Sequence, residues 1–528
     1  MIRLEDLIPN ESYNLTEEIE KHASDQIALK WQDSEGHREE ITYNDLLKRT
    51  NKVANALTQI GLTKGDHVLV IMPRLIDSYA IYLACLKAGI IIIPSSEMLR
   101  SKDIQYRLHH AEAKAVISYY PYCDEVDKIQ KFPTSLQHKI TFGSEVSSWL
   151  QLETLTAVAS DEFEAVKTHR DDTAFLPYTS GTTGNPKGVV HTHGWAYAHL
   201  RLAAAEWLDI KKGDIVWATA GPGWQKWIWS PFLSVLGQGA TGIVYNGKFD
   251  PEKFLHVLQD EKVNVLCCTP TEYRFMAKNK NLDSFDLSHI HSAVSAGEPL
   301  NEEVINVFNR YFGIQVRDGY GQTENTLLIG TLKNVKTKIG SMGKPMLEEF
   351  IEIIDEDGNP CKPGEIGDIA VRKDLPSLFK SYYKDTERTK AAFKGNYYLT
   401  GDRASKDEDN YYWFQGRGDD IIISSGYTIG PFEVEDALIK HPAVKECAVV
   451  ASPDQDRGHV VKAFVVLVEN VQLNNEEDLI SQLQDHVKSL TAPYKYPRLI
   501  EFVEDLPKTN SGKIRRIELR ALEQQIKQ

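Results

Sequence analysis

Between residues 42 and 61, apolar side chains recur at Leu46, Leu47, Val53, Ala54 and Leu57, a spacing that lines one face of a helix. Thr42 with Asp45 approximates a capping box at its start, and Gly61 supplies the stop. The period then changes. Residues 68–72 form a short apolar run of strand length, 75–88 return to a helical pattern, and 90–93 read as another strand. The alternation continues with strands at 115–118, 215–218 and 263–268. Strands that are continuous runs of apolar, largely β-branched residues, separated by helices, predict parallel sheets covered on both faces.

Beyond about residue 340 the texture changes. Strands at 350–354, 367–372 and 396–399 are joined by turns such as Asp357-Gly358 and Pro363-Gly364, which predicts a small β-rich unit over about 340–416. After Gly416 the order is strand (420–424), helix (431–440), strands (446–451 and 462–468), helix (476–489), strand (499–502) and a terminal helix. That is enough for a small domain of its own. The expected fold class is therefore α/β: a large N-terminal domain (1–416) that includes the β-rich subdomain, then an α+β C-terminal domain (417–528). The polar, glycine-flanked stretch 415–420 is the expected hinge.

At 528 residues the chain is too long for one core. The acids Glu5, Asp6 and Glu11 stand where a secretory leader needs an apolar run, and the greasiest stretch, 88–94, is too short to span a bilayer. A cytoplasmic location is expected. Six cysteines lack any CxxC spacing, which argues against structural zinc and disulfides; Cys267 and Cys268 read as core residues. A net charge of −15 disfavours nucleic acid as a partner, so an anionic ligand needs a local site.

Such a site is visible at 178–188, Tyr-Thr-Ser-Gly-Thr-Thr-Gly-Asn-Pro-Lys-Gly. Thr179, Ser180, Thr182 and Thr183 offer hydroxyls, and Gly181 and Gly184 allow backbone N–H groups to converge. Lys187 adds charge. The set suits a polyphosphate, yet it is not a Walker A loop, because after Gly181 and four further residues comes Pro186-Lys187-Gly188 where Gly-Lys-Ser/Thr would have to stand.

With this segment the chain resembles the AMP-forming adenylate synthetases: acyl-CoA synthetases, luciferases and peptide-synthetase adenylation domains. It looks closest to the branch of medium-chain and acetyl-CoA synthetases. The resemblance continues in order along nearly the whole chain. Ser295-Ala-Gly-Glu-Pro299 resembles the adenine-contacting loop, with Gly297, Glu298 and Pro299 on the nucleotide. Asp318, Gly319, Tyr320, Gly321, Gln322, Thr323 and Glu324 match the next motif, which implies Thr323 on the α-phosphate and Glu324 on Mg²⁺. Thr400-Gly-Asp402 implies Asp402 on the ribose; Gly416-Arg-Gly-Asp419 implies Arg417 on the ribose and Asp419 as hinge. Pro507-Lys-Thr-Asn-Ser-Gly-Lys513 matches the C-terminal lysine motif, which makes Lys513 the catalytic lysine. The resemblance implies ATP, Mg²⁺ and coenzyme A as cofactors and two half-reactions. A small carboxylic acid first attacks the α-phosphorus of ATP, where cations must offset the charge that builds up. The C-terminal domain then rotates so that a thiol can replace Lys513, with Gly426 lining its path. One departure stands out: relatives often carry Arg after the Gly-aromatic pair, where this chain has Thr428.

Six of the nine tryptophans lie between Trp195 and Trp229. The run Gly221-Pro-Gly-Trp-Gln-Lys-Trp-Ile-Trp229 resembles the wall of the acyl pocket in medium-chain synthetases, with Trp224, Lys226 and Trp229 on the acid. Bulky rings shorten a pocket, which favours a short or branched aliphatic acid of roughly three to six carbons. Lys488 and Lys495 are weaker choices for CoA phosphate contacts. Acetylation of Lys513 would remove its charge, so a lysine acetyltransferase and deacetylase are conceivable partners. Two other readings use the same motifs: loading of a separate carrier protein, and a nucleotide-binding regulator without turnover.

Overall fold

The computed structural model describes residues 2–179, 186–297, 300, 302–418, 420–424, 427–454, 458–469, 476–508 and 514–526. Contacts divide the chain into two compact units, Met1–Leu347 with Lys373–Phe393, and Glu348–Arg372 with Lys394–Gln528.

The first unit holds two large sheets. One has nine strands in the order Lys344–Pro345, Leu327–Gly330, Val316–Gly321, Ser292–Ala296, Val265–Cys268, Ile215–Ala218, Thr241–Asn246, Ile27–Asp33, Arg38–Thr42. Its centre is parallel, from Val316–Gly321 through Ile27–Asp33, and antiparallel strands close both edges. The other has seven strands, with Ile91–Ser95, His67–Ile71, Ala115–Tyr119 and His138–Phe142 parallel at its heart. The apolar runs read from sequence are these central strands. Val68, Leu69 and Val70 are fully buried, as a strand covered on both faces must be. Cys267 and Cys268 are core residues, and burial pushes both thiols up.

The helix Tyr43–Gln59 begins where its cap predicts: the Thr42 hydroxyl accepts the Asp45 N–H at 3.1 Å. The Asp45 carboxylate takes the Thr42 hydroxyl proton at 2.9 Å, so it serves the cap side chain and not the capping backbone.

In the second unit, strands Ile351–Ile354, Ile366–Arg372, Tyr397–Lys406 and Tyr412–Arg417 pair successively antiparallel. The third runs seven residues past the expected 396–399, because Thr400-Gly-Asp402 continues the ladder instead of ending it. A three-stranded sheet (Val444–Asp454, Gly458–Leu467, Leu499–Phe502) follows, with helices Pro431–Ile439, Glu476–Leu490 and Arg516–Ile526. Gly430 permits close contact with the preceding strand: a Cβ there would overlap the Gln415 carbonyl. The terminal helix is held by buried charge. Arg516 forks onto the buried Glu435 at 2.6–3.1 Å, and Glu523 accepts from Ser452 and Lys462 at 2.7 and 2.6 Å. Arg520 pairs with Asp420.

Candidate active site

The strand Tyr178–Thr179 turns back on Lys187–Gly188, with Thr179 opposite Lys187 and Tyr178 opposite Gly188. Ser180, Gly181, Thr182, Thr183 and Gly184 lie outside the described residues, as do Glu298, Pro299, Asp419, Gly426, Lys513 and the side chain of Thr428. At the near end of the loop, the Lys187 ammonium meets Glu324 Oε1 at 2.7 Å. Residues from two distant motifs thus form one charged pair. Glu324 is 5% exposed, so the pair sits in poorly solvated surroundings where charge is felt strongly.

The segment around Glu324 is held carbonyl by carbonyl. His191 Nε2 reaches the Thr323 oxygen at 2.5 Å, the Phe379 N–H reaches the Glu324 oxygen at 2.6 Å, and Trp195 Nε1 reaches the Asn325 oxygen at 3.3 Å. His199 Nδ1 then meets the Thr326 hydroxyl at 2.6 Å. Residues 191, 195 and 199 are spaced by four and their rings form a column, 4.5 Å and 5.3 Å between successive centroids. A carbonyl cannot donate, so His191 carries its proton on Nε2. His199, whose Nε2 faces the Trp229 oxygen at 2.9 Å, does the same and accepts the Thr326 proton on Nδ1. Burial pushes both imidazoles down to about 4, so both are neutral near pH 7.

Two glycines of this motif are required by packing. A Cβ at Gly319 would run into the Trp207 ring, and one at Gly321 into the Thr326 carbonyl and the edge of Trp229. Asp318 accepts the N–H groups of Gly319 at 2.8 Å and Leu300 at 3.3 Å, and burial pushes its carboxyl up to about 7. Its own carbonyl takes the Trp207 indole N–H at 3.2 Å. Gln322 N–H donates to Asn325 Oδ1 at 2.8 Å, and Tyr320 is half-buried. Gly297 has φ +111°, a conformation open to glycine but costly to other residues, with no atom near its missing Cβ.

The six clustered tryptophans divide by role. Trp227 stacks on Phe232 at 5.2 Å, with Tyr79 and Tyr82 edge-on, and Trp217 packs on Phe254; both belong to the core. Trp195 and Trp207 hold motif carbonyls. Only Trp224 and Trp229 of the six remain half-buried. The Lys226 ammonium donates to the Ala296 carbonyl at 2.5 Å, at the end of the strand that leads to Gly297. Two wide π-helical stretches, Leu200–Trp207 and Ile228–Ser234, shape this region, a geometry that recurs at functional sites.

Among the described residues, six of the fourteen buried polar side-chain atoms without a partner lie on these segments: Thr179 Oγ1, His191 Nδ1, both amide atoms of Gln225, Trp229 Nε1 and Asn325 Nδ2. Each such atom in a native fold calls for an explanation, and a polar ligand supplies one. The hydroxyl of Thr179 with the ammonium of Lys187 suits a phosphate, and the Glu324 carboxylate suits a hard divalent cation such as Mg²⁺.

In the second unit, Asp402 and Arg417 face each other across paired strands, Nε to Oδ1 at 3.3 Å. Asp402 is 5% exposed and its N–H donates to the Thr400 hydroxyl at 3.1 Å. Lys495 binds both carboxylate oxygens of Glu433, and Lys488 pairs with Asp485 at 2.9 Å.

Sequence reading passed over Tyr382. Its hydroxyl lies 2.7 Å from Lys187 Nζ and 2.9 Å from Glu324 Oε1. Nothing in the local pattern of Ser381-Tyr-Tyr383 distinguishes it; only the long-range pairing of residues 380–383 with 188–190 brings it there. His191 and His199 were missed too, although the fourfold spacing with Trp195 was a visible signal.

Two helix-covered, largely parallel sheets, a Lys–Glu pair that follows a hydroxyl- and glycine-rich sequence, and a second small α+β unit point to an adenylate-forming enzyme. Comparison with known proteins agrees. The chain matches the AMP-binding enzyme model over residues 15–383 and the AMP-binding enzyme C-terminal domain over 433–513, and it belongs to that family. It is 58% identical to an uncharacterized acyl-CoA ligase of Bacillus subtilis, YtcI, over 100% of this chain and 99% of that protein. It is 41% identical to the mitochondrial acyl-coenzyme A synthetase ACSM3 of Rattus norvegicus, over 94% and 86% of the two. Among solved structures, the anthranilate CoA ligase AuaEII in complex with anthranoyl-AMP superposes with a TM-score of 0.91 at 28% identity, covering 99% of each chain. ATP-bound MatB from Rhodopseudomonas palustris gives 0.86 at 26%, covering 98% and 99%. The chain is an AMP-forming acid–thiol ligase, an acyl-CoA synthetase that uses ATP, Mg²⁺ and coenzyme A. No helix among the described residues is long and apolar enough to cross a membrane.

Proposed function

We propose that the acid is a short, branched or medium-chain aliphatic one, held between Trp224 and Trp229 with Lys226 beside them. The observation that carries this is the division of the tryptophans: four of the six are spent on core or on backbone, and these two are left half-buried, free to face a ligand. Trp229, its ring edge against Gly321, sits beside the motif that would hold the α-phosphate.

In this reading Thr179, Ser180, Gly181, Thr182, Thr183, Gly184 and Lys187 receive the phosphates. Gly297, Glu298 and Pro299, with the Asp318–Gln322 run, receive the adenine. Asp402 and Arg417 receive the ribose. Glu324 would hold Mg²⁺, which when bound would supply positive charge to offset the pyrophosphate leaving group. Thr323 and Lys513 orient the α-phosphate for in-line attack by the carboxylate, which forms the acyl-adenylate. Residues 417–528 then rotate about Asp419, and coenzyme A reaches the adenylate past Gly426. Acetylation of Lys513 would stop the first half-reaction alone: Lys513→Gln should lose adenylation but still form thioester from supplied acyl-adenylate. Full adenylation by that variant would refute the role of the lysine. A cytoplasmic location fits six cysteines that are all unpaired and buried.

The test is pyrophosphate release with coenzyme A across straight and branched acids. A maximum at short or medium length, moving to longer acids in Trp229→Ala, supports the pocket. A kcat/KM that climbs steadily from butyrate to dodecanoate overturns it.

A further inference from the structure

Lys187 and Glu324 have to part during the reaction. Paired at 2.7 Å, the ammonium and the carboxylate neutralise each other, whereas a phosphate calls on the one and a metal ion on the other. The hydroxyl of Tyr382 touches both. Lys187 donates to the phenol oxygen, and the phenol proton points to Glu324, whose carboxylate can only accept. The Tyr382 ring also lies under the ammonium, 4.2 Å from its centroid.

Tyr382 is firmly placed. The Lys380 and Tyr383 N–H groups donate to the Val190 and Gly188 carbonyls at 2.9 and 2.8 Å, and Val190 N–H returns a bond to Ser381 at 3.0 Å. This short antiparallel stitch begins directly after Lys187. One residue earlier, the Phe379 N–H holds the Glu324 carbonyl at 2.6 Å. The Tyr382 N–H donates to the Thr389 hydroxyl at 3.0 Å, its ring packs 4.8 Å from that of Phe379, and it is 4% exposed. One five-residue segment therefore fixes both motifs and delivers a single hydroxyl between their charged ends.

From this geometry we infer that Tyr382 is a positioning residue for the nucleotide–metal step. Its hydroxyl keeps Glu324 oriented toward the cation when Lys187 leaves for the phosphates. The inference rests on the roles proposed for Lys187 and Glu324. A hydrogen bond to a metal-binding carboxylate fixes its direction, and losing such a support typically weakens metal binding about 10–100-fold.

The test is Tyr382→Phe in the full chain, which keeps the ring and removes only the hydroxyl. Calorimetry with α,β-methylene-ATP at increasing Mg²⁺ should show a Mg²⁺ affinity about 10–100-fold lower than wild type. Binding of the analogue in EDTA, and thioester formation from supplied acyl-adenylate and coenzyme A, should stay within about two-fold, since neither uses the metal. In a Glu324→Gln background the same change should cost less than about two-fold, because Tyr382 acts through the carboxylate. Wild-type Mg²⁺ affinity in Tyr382→Phe overturns the inference. So does an equal loss in the Glu324→Gln background, or a parallel fall in thioester formation, which would mean a purely structural role. If Glu324→Gln by itself leaves Mg²⁺ binding intact, the metal role of Glu324 falls and this inference falls with it.

Discussion

Acid should unfold the first unit early, through its histidines. His191, His193 and His199 are each at most 1% exposed, and burial pushes all three down to about 4 from an ordinary value near 6.5. A base whose folded pKa is depressed holds fewer protons in the folded state than in the unfolded one. Between pH 4 and 6.5 the unfolded chain therefore binds more protons, and stability rises with pH. The full contribution is present above 6.5 and is lost as pH falls toward 4. Each imidazole sets a slope of about 1.4 kcal/mol per pH unit, and Asp318, whose carboxyl burial pushes up to about 7, sets one of opposite sign, so the four together leave about 3. At pH 5 that is roughly 3 kcal/mol below the neutral value, a large share of the stability of many domains. Urea unfolding followed by tryptophan fluorescence reads this unit selectively, because of the nine tryptophans only Trp413 lies outside it. In His199→Gln the slope should fall by about 1.4 kcal/mol per pH unit, whatever the variant costs at pH 7. Urea midpoints that stay level between pH 4.5 and 6.5, or a His199→Gln slope equal to wild type, would refute the reasoning.

Two further outcomes concern packing and buried charge. Gly321→Ala forces a Cβ into the Thr326 carbonyl and the Trp229 ring, so it should cost about 1–3 kcal/mol and weaken binding of an ATP analogue; unchanged binding and urea midpoint would contradict the contact. Arg516→Leu strips the buried Glu435 of its forked partner and should cost about 3–5 kcal/mol in denaturant unfolding of the second unit, where a loss under about 1 kcal/mol would show that the pair is dispensable.

The apolar runs and helical faces were legible in the chain itself, since whether a residue can lie in a doubly covered strand or on one helix face depends on its near neighbours. The period of Leu46, Val53 and Leu57 was enough to place a helix, and the run of 68–72 a strand. The contiguous glycines, hydroxyls and lysine of 178–188 pointed to a polyphosphate, and the ordered motifs pointed to adenylate chemistry through their resemblance to a known family. Other features needed the tertiary structure. The seating of strand Ile27–Asp33 beside Thr241–Asn246 in the nine-stranded sheet, the pairing of Lys187 with Glu324, and the arrival of Tyr382 between them depend on segments far apart in sequence. So does the sorting of six similar tryptophans into two core rings, two that hold backbone carbonyls and two left half-buried. An indole has the same apolar body and the same N–H donor wherever it stands. Which of them it uses is decided by what the fold sets against it.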